Sequence, residues 1–248
     1  MITVHDRTAT IFTANGYGAL DPEIINPQVT ETIGGDYSLT FTYPADGQLA
    51  GQLVLENIVV APTPTSQLRQ GFRISQVRTE LDGMLHVTCL HISFDLAANL
   101  IADAFVVNKT PQAALAQILG AAQYNHGFTA TSADTATVAS ARIVRTSVLA
   151  AIMDAGAENS FASRWGGELA RDNWRLHHAP RLGSDRGVVI RNGKNLTGYQ
   201  ADIDYTTVAT RVLPVGYDGL LLPELYVDSP RLGDYQFPLV RVVKFDQI

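Results

Sequence analysis

Tyr37, Leu39, Phe41 and Tyr43 alternate with Ser38, Thr40 and Thr42. Successive side chains of a strand point to opposite faces, so this pattern predicts a strand with one buried face. Gly34-Gly35 joins it back to a run carrying Val29, Glu31 and Ile33, which makes a hairpin, and Pro44-Ala45-Asp46-Gly47 ends it. Residues 57–61 are a second short strand, followed by a loop around Pro62 and Pro64. Phe72 and Ile74 share one parity, whereas Val77, Thr79 and Leu81 take the other, so a bulge near Ser75-Gln76 is expected. Asp82-Gly83 is a turn, and Leu85, Val87, Cys89 and His91 alternate in the return strand. Antiparallel strands with this turn chemistry predict a small barrel or sandwich over residues 1–93.

The texture changes at Ser93. Ser93 can cap a helix with Leu96, Ala97, Leu100 and Ile101 on one face. Thr110-Pro111 is a cap followed by proline at the first helical position, ahead of Leu115, Ile118, Leu119 and Ala122. A third helix is expected from Thr146-Ser147, placing Leu149, Ile152, Met153 and Gly156 on one side. Residues 127–129 and 141–145 read as strands between the helices. Residues 94–180 thus form a small α/β domain between β-rich parts.

From Ser160 the reading is β again. Residues 161–198 read as two hairpins, the first turning at Asp172-Asn173 with Trp174 and Leu176 on one face and Arg175 and His177 on the other. The second has residues 188–191 as a strand closed by Asn192-Gly193, a pair suited to a two-residue turn with positive φ. Tyr199, Ala201, Ile203 and Tyr205 alternate with polar residues, residues 208–217 continue as a strand, and residues 241–245 form one more. Pro214 suggests an edge or a bulge in the first of these. Residues 181–248 are expected to be a second, incomplete β domain with the start of a further insertion. A strand so near the end points to a longer protein. The fold class is therefore α+β, mainly β.

Composition narrows the function. The formal net charge of −6 gives no general basic field for nucleic acid. At 46% hydrophobic and 17% charged residues, the chain can bury a core. Cys89 is the single cysteine, so no internal disulfide forms. No basic region with an apolar core opens the sequence, and no apolar run approaches the ~20 residues that span a bilayer. Folding in a reducing cytoplasm and no membrane insertion are expected. Without a secretion signal, the glycosylation patterns at Asn108 and Asn195 are chance matches.

The candidates for chemistry each have a plainer reading. His86 falls on the opposite strand face from Cys89 and His91, which weakens a metal reading. His177 and His178 face apart, and Glu168 and Asp172 flank a turn as surface carboxylates do. Cys89 reads as an inert core thiol. Residues 187–194, GVVIRNGK, have one residue too many for a phosphate loop, and Asn195 replaces its Ser or Thr. Trp165 and Trp174 read as buried residues pinning a hairpin rather than as base-stacking platforms. No catalytic, cofactor-binding or metal-binding residue is assigned, and no cofactor is expected.

One ordered set of motifs carries a resemblance. It comprises Gly34-Gly35-Asp36-Tyr37 with residues 39–44, the junction at 89–96, Trp165-Gly166-Gly167-Glu168, the Asp172-Asn173 turn, Asp185-Arg186-Gly187, Arg191-Asn192-Gly193-Lys194-Asn195-Leu196, and residues 215–219. The set resembles the N-terminal region of phage tail hub proteins, the minor structural or prophage tail endopeptidase family. Trp165, Gly166, Gly167, Glu168, Arg186, Gly187, Asn192, Gly193, Lys194 and Asn195 are its structural signature. The resemblance implies a baseplate-hub-like fold of two barrel-like tube domains with smaller domains inserted. It implies a homotrimeric ring of pseudo-sixfold inner symmetry at the virion tail tip, made in the bacterial cytoplasm. Its partners would be the distal tail protein and the tail tube and tape-measure proteins, with DNA passing through unbound. Downstream modules would degrade cell wall or bind the host. Two other functions are expected to compete with a structural hub: a peptidase or peptidoglycan hydrolase with a site assembled from distant residues, and a carbohydrate-binding module.

Overall fold

The alternation at Tyr37 buries what it should. In the computed structural model, which describes residues 1–64, 66 and 68–245, Tyr37, Leu39, Phe41 and Tyr43 are all buried. They lie on β4 (Tyr37–Pro44), the product of a hairpin with β3 (Ile25–Glu31) in which Val29 pairs with Leu39. The remaining strands of this sheet are β1 (Thr3–His5), β2 (Gly18–Ala19), β5 (Ile58–Ala61), β6 (Gln70–Thr79) and β7 (Met84–His91). Their order is β2-β1-β5-β6-β7-β4-β3, every neighbour antiparallel. The bulge lies where the parity switch requires it, the β6–β7 register slipping between Ile74 and Gln76. Ser75 there donates its hydroxyl to the Thr88 carbonyl at 3.0 Å. Phe72, Ile74, Val87 and Cys89 join the β4 residues in one apolar cluster.

Beyond β7 the chain departs from expectation. Residues Ile92–Ala98 form a 3-10 run, and Leu100 and Ile101 open β8 (Leu100–Lys109) instead of extending a helix. The cap is the His91 imidazole, which accepts from the Ser93 N–H; Ser93 caps nothing. Asn99 ends the run. Its side chain exchanges hydrogen bonds with the Tyr124 backbone at 2.7 and 3.1 Å, which holds it extended. Tertiary pairing thus overrides a helical apolar spacing.

The helix α1 (Pro111–Gly120) buries Leu115, Ile118 and Leu119, as its stripe predicts. Then follow β9 (Thr129–Ser132), β10 (Ala139–Ser147) and α2 (Val148–Met153), the last capped by Ser147 accepting from the Ala150 N–H at 3.1 Å. Residues expected to start a hairpin instead form α3 (Phe161–Trp165). Ser160 and Ser163 exchange side-chain and backbone hydrogen bonds in a capping box, and Phe161 stacks on Trp165 one turn later. The hairpin proper is β11 (Glu168–Asp172) with β12 (Arg175–Ala179). Its loop is Asn173-Trp174, one residue later than expected, with Asn173 at φ +50°. The parallel neighbour of β12 is β9, while β8 and β10 form a ribbon of their own. Their inner faces, α1, α2 and α3 share a second core around Ile101, Leu115, Ile143, Ile152 and Phe161.

All of this lies in one compact unit, Met1–Asp185; the other is Arg186–Ile248. In the second, β13 (Arg211–Gly216) lies between β14 (Val227–Asp228) and β15 (Val240–Phe245), the latter parallel to it. The strand expected at 241–245 is therefore present. The expected strands at 188–191 and 199–205 are not: the only pairing there is an isolated bridge from Asn192 to Leu196. Val188, Ile190, Tyr199, Ile203 and Tyr205 stand exposed. Alternation marks a face able to be buried, but a strand also needs a neighbour for its N–H and C=O groups.

Gly167 shows how tightly the β11–β12 hairpin is seated. It has φ +74°, and a Cβ would lie 2.7 Å from the Ala179 carbonyl oxygen as well as against the His178 ring. Gly166, at φ +65°, opens onto free space. Gly166→Ala is expected to cost about 1–3 kcal/mol of backbone strain. Gly167→Ala is expected to cost distinctly more, since a backbone atom must also move; denaturant unfolding of the two variants checks this ordering.

Candidate functional site

The polar chemistry of the first unit converges where the tip of the β11–β12 hairpin meets β6 and β7. Asn173 does most of the joining. Its N–H donates to Gln70 Oε1 at 2.7 Å and its Nδ2 to the Arg69 carbonyl at 2.9 Å, while its Oδ1 accepts from the Gly71 N–H at 2.8 Å. Asp172 Oδ1 accepts from Gln70 Nε2 at 2.6 Å and from the Ser66 hydroxyl at 3.2 Å. The positive φ at Asn173 aims this side chain, and Asn tolerates that conformation better than most residues.

Gln70 passes the network inward. Its Oε1 also lies 3.2 Å from His91 Nε2. His91 Nδ1 accepts from the Ser93 N–H, so the network is satisfied with the ring proton on Nε2. The His91 ring stacks on Tyr37, with centroids 4.3 Å apart. Burial, seconded by the positive charge of Arg171, holds the His91 pKa down at about 3. A ring so placed is a neutral structural member at neutral pH.

Arg171 closes the joint from the other side. It is only 4% exposed. Nη1 donates to the Gly35 carbonyl at 2.9 Å, and Nη2 to those of Thr32 and Asp36, each at 3.1 Å. These carbonyls belong to the turn between β3 and β4. The guanidinium also lies 5.0 Å over the Tyr37 ring and 5.7 Å from that of Phe94. Burial draws its pKa below the ordinary arginine value, opposed by Glu31, Tyr37 and Asp36. One strand of the second core thus grips the turn of the first sheet.

The other candidates are spent in similar ways. Burial pushes the Cys89 thiol up. His178 is buried between Ser132 Oγ at 2.9 Å and the Gly166 carbonyl at 3.0 Å, while His177 is exposed on the other face. Trp165 is buried and donates to the Lys109 carbonyl at 2.8 Å. Trp174 is only partly buried, edge-on to Phe128 at 5.1 Å, and donates to the Thr10 carbonyl at 3.1 Å.

The signature residues divide between the units. Trp165, Gly166, Gly167 and Glu168 make the corner from α3 into β11, and Glu168 accepts from the Leu182 N–H at 2.7 Å. Arg186, Gly187, Asn192, Gly193, Lys194 and Asn195 lie exposed in the second unit. There the Lys194 and Asn195 N–H groups both donate to the Arg191 carbonyl at 3.2 Å, and the Asn195 side chain accepts from the Arg191 N–H at 2.8 Å.

No protein-family model and no curated protein matches the sequence. Solved structures do match. The prophage tail protein gp18 from Listeria monocytogenes EGD-e superposes with a TM-score of 0.62 at 17% identity, over 100% of this chain and 73% of its own. The 43 kDa tail protein of prophage MuSo2 from Shewanella oneidensis does so with a TM-score of 0.55 at 14% identity, again over 100% and 73%. The fold is one found in prophage tail proteins. It is mainly β with few helices, the class that the sequence predicts.

Sequence reasoning missed the joint because Gln70, His91 and Arg171 are ordinary residues at unremarkable spacings. It also missed that His86 faces Glu80 and Asp82 across the β6–β7 turn. Parity held that signal, since residues 78, 80 and 86 share the face opposite Val87 and Cys89.

Replacing Arg171 by Met strands three carbonyls and is expected to cost about 2–4 kcal/mol, with Arg171→Lys restoring only part. Calorimetric melting of the variants tests this. For His91 the folded pKa lies below the unfolded value near 6.5, so the unfolded state binds the proton first. Its stabilising share is complete above pH 6.5 and falls by about 1.4 kcal/mol per pH unit as pH drops towards 3. Urea titrations from pH 8 to 4.5 should show a steeper loss for the parent than for His91→Gln.

Proposed function

We propose that the chain is a structural component of a bacteriophage or prophage tail, positioned at the tail tip as a hub. In this reading three copies form a ring at the distal end of the tail tube. The ring contacts the distal tail protein and the tube and tape-measure proteins, lets DNA pass without binding it, and carries modules that degrade cell wall or bind the host. The residues 1–93, 94–180 and 181–248 would be a first tube domain, a small α/β domain and part of a second tube domain.

The observation that carries this reading is the fold shared with two prophage tail proteins along the whole chain. Two features agree with it. The polar and titratable side chains at the joint are committed to internal hydrogen bonds. In the second unit all six residues of β15 are exposed, four of them apolar, as befits a sheet completed by assembly.

The test is the mass and symmetry of the protein, alone and mixed with its cognate distal tail protein, by light scattering and electron microscopy. A threefold ring that binds the distal tail protein is expected. A monomer that ignores that partner would overturn the reading, and reproducible cleavage of purified cell wall by the chain would favour a hydrolase.

A further inference from the structure

The chain holds two Asn-Gly pairs, Asn15-Gly16 and Asn192-Gly193, in opposite surroundings. Asparagine before glycine is chemically labile, because a residue without a Cβ lets its backbone nitrogen approach the neighbouring side-chain carbon. The folded surroundings decide whether that approach is open. Residues 191–196 close a turn on the Arg191 carbonyl, which accepts from the Lys194, Asn195 and Leu196 N–H groups, each at 3.2 Å. The Asn195 side chain fastens the base of this turn. It accepts from the Arg191 N–H at 2.8 Å and donates to the Val189 carbonyl at 3.2 Å. Asn192-Gly193 is left at the apex. Both residues are exposed, and Gly193 alone takes the positive φ, +74°. A Cβ at Gly193 would meet nothing within 4 Å.

The Asn192 carboxamide makes no hydrogen bond among the described residues. Those of Asn99, Asn159, Asn173 and Asn195 are all engaged. Asn15 is the internal comparison, with the same residue following it. Its carbonyl accepts from the Gly18 N–H at 3.1 Å, and the Tyr17 N–H donates to the Val4 carbonyl at 2.8 Å, which draws Gly16 against β1. A Cβ on Gly16 would lie 2.7 Å from the His5 ring and would also strike the Val4 carbonyl oxygen. Ring closure needs the peptide between asparagine and glycine to swing. Room for that motion is present at Gly193 and absent at Gly16.

We propose that Asn192 is a site of spontaneous, backbone-assisted modification to isoaspartate and aspartate. The Gly193 nitrogen gives up its proton and bonds to Asn192 Cγ. The Cγ–Nδ2 bond breaks, and Nδ2 leaves as ammonia with that proton. One water then opens the five-membered imide. Opening at the main-chain carbonyl gives isoaspartate, in which the chain runs through Cγ, and opening at Cγ gives aspartate. The attack is intramolecular, and water is the only co-reactant. Either product places a new carboxylate between Arg191 and Lys194. Isoaspartate also lengthens the main chain inside the turn that the Arg191 carbonyl closes.

The experiment incubates the intact chain, folded and in urea, at mildly alkaline pH. Peptide mapping by mass spectrometry follows both Asn-Gly pairs, and an isoaspartyl methyltransferase reports isoaspartate. In the folded chain Asn192 is expected to convert at least about tenfold faster than Asn15, which must first open away from β1. In urea the two rates should come within about threefold of each other, because the packing that separates them is gone. Isoaspartate forms only through the imide and should accompany aspartate at position 192. Asn192→Gln, whose ring would have six members, should remove the product there, and circular dichroism shows whether the variant keeps the parent fold. The proposal is overturned if Asn192 keeps its amide in the folded chain while the unfolded chain loses it. It is equally overturned if folded Asn15 reacts as fast as Asn192, or if aspartate alone appears at position 192. These outcomes are independent of ring assembly, so the site can fail without the hub reading failing.

Discussion

The first unit depends on one buried cation and the hairpin that carries it. Arg171 lies on the strand that belongs to the second core, yet its guanidinium is hydrogen-bonded to the turn of the first sheet. A buried charge is costly unless its donors are satisfied. Here three carbonyls and the face of Tyr37 satisfy it, and that geometry exists only when both cores are in place. Asn173 and Gln70 extend the same logic two residues along the hairpin: the Asn173 side chain pairs the Arg69 carbonyl and the Gly71 N–H, and the Gln70 side chain pairs the Asn173 N–H. The outcome is one unit whose two largest apolar clusters are joined by a polar seam that specifies a single relative placement.

Packing also accounts for the titratable side chains that the sequence singles out. His91, Cys89 and His178 are buried members of packed layers, and the first is held neutral by burial. In the second unit the strand β15 is exposed along its whole length.

Local pattern made the first sheet legible. The alternation in β4 and β7, the glycine turn before Tyr37 and the parity switch at Ser75-Gln76 are nearest-neighbour statements about strands, and each has its counterpart in the ladder. The proline-capped α1 was equally readable. Residues 92–101 were not, because Asn99 is held extended by Tyr124, a contact the apolar spacing does not encode. Nor was α3, whose five residues are too few to show a helical period and depend on the Ser160–Ser163 box. Residues 188–205 carry strand alternation without a strand, because alternation says nothing about who supplies the adjacent backbone. At the β6–β7 tip the sequence set His86 apart from Cys89 and His91 but did not show that Glu80 and Asp82 lie near it across the turn.

Native-state hydrogen exchange on the intact chain tests the seam most directly. The account predicts that the Gly71 and Asn173 amides, both bonded across the seam, open only with the unit as a whole, with the same free energy as the slowest amides of β7 and β10. Exchange of those two amides through a cheaper opening, while both cores stay protected, would show that the cores stand independently and that the Arg171 hairpin merely rests between them.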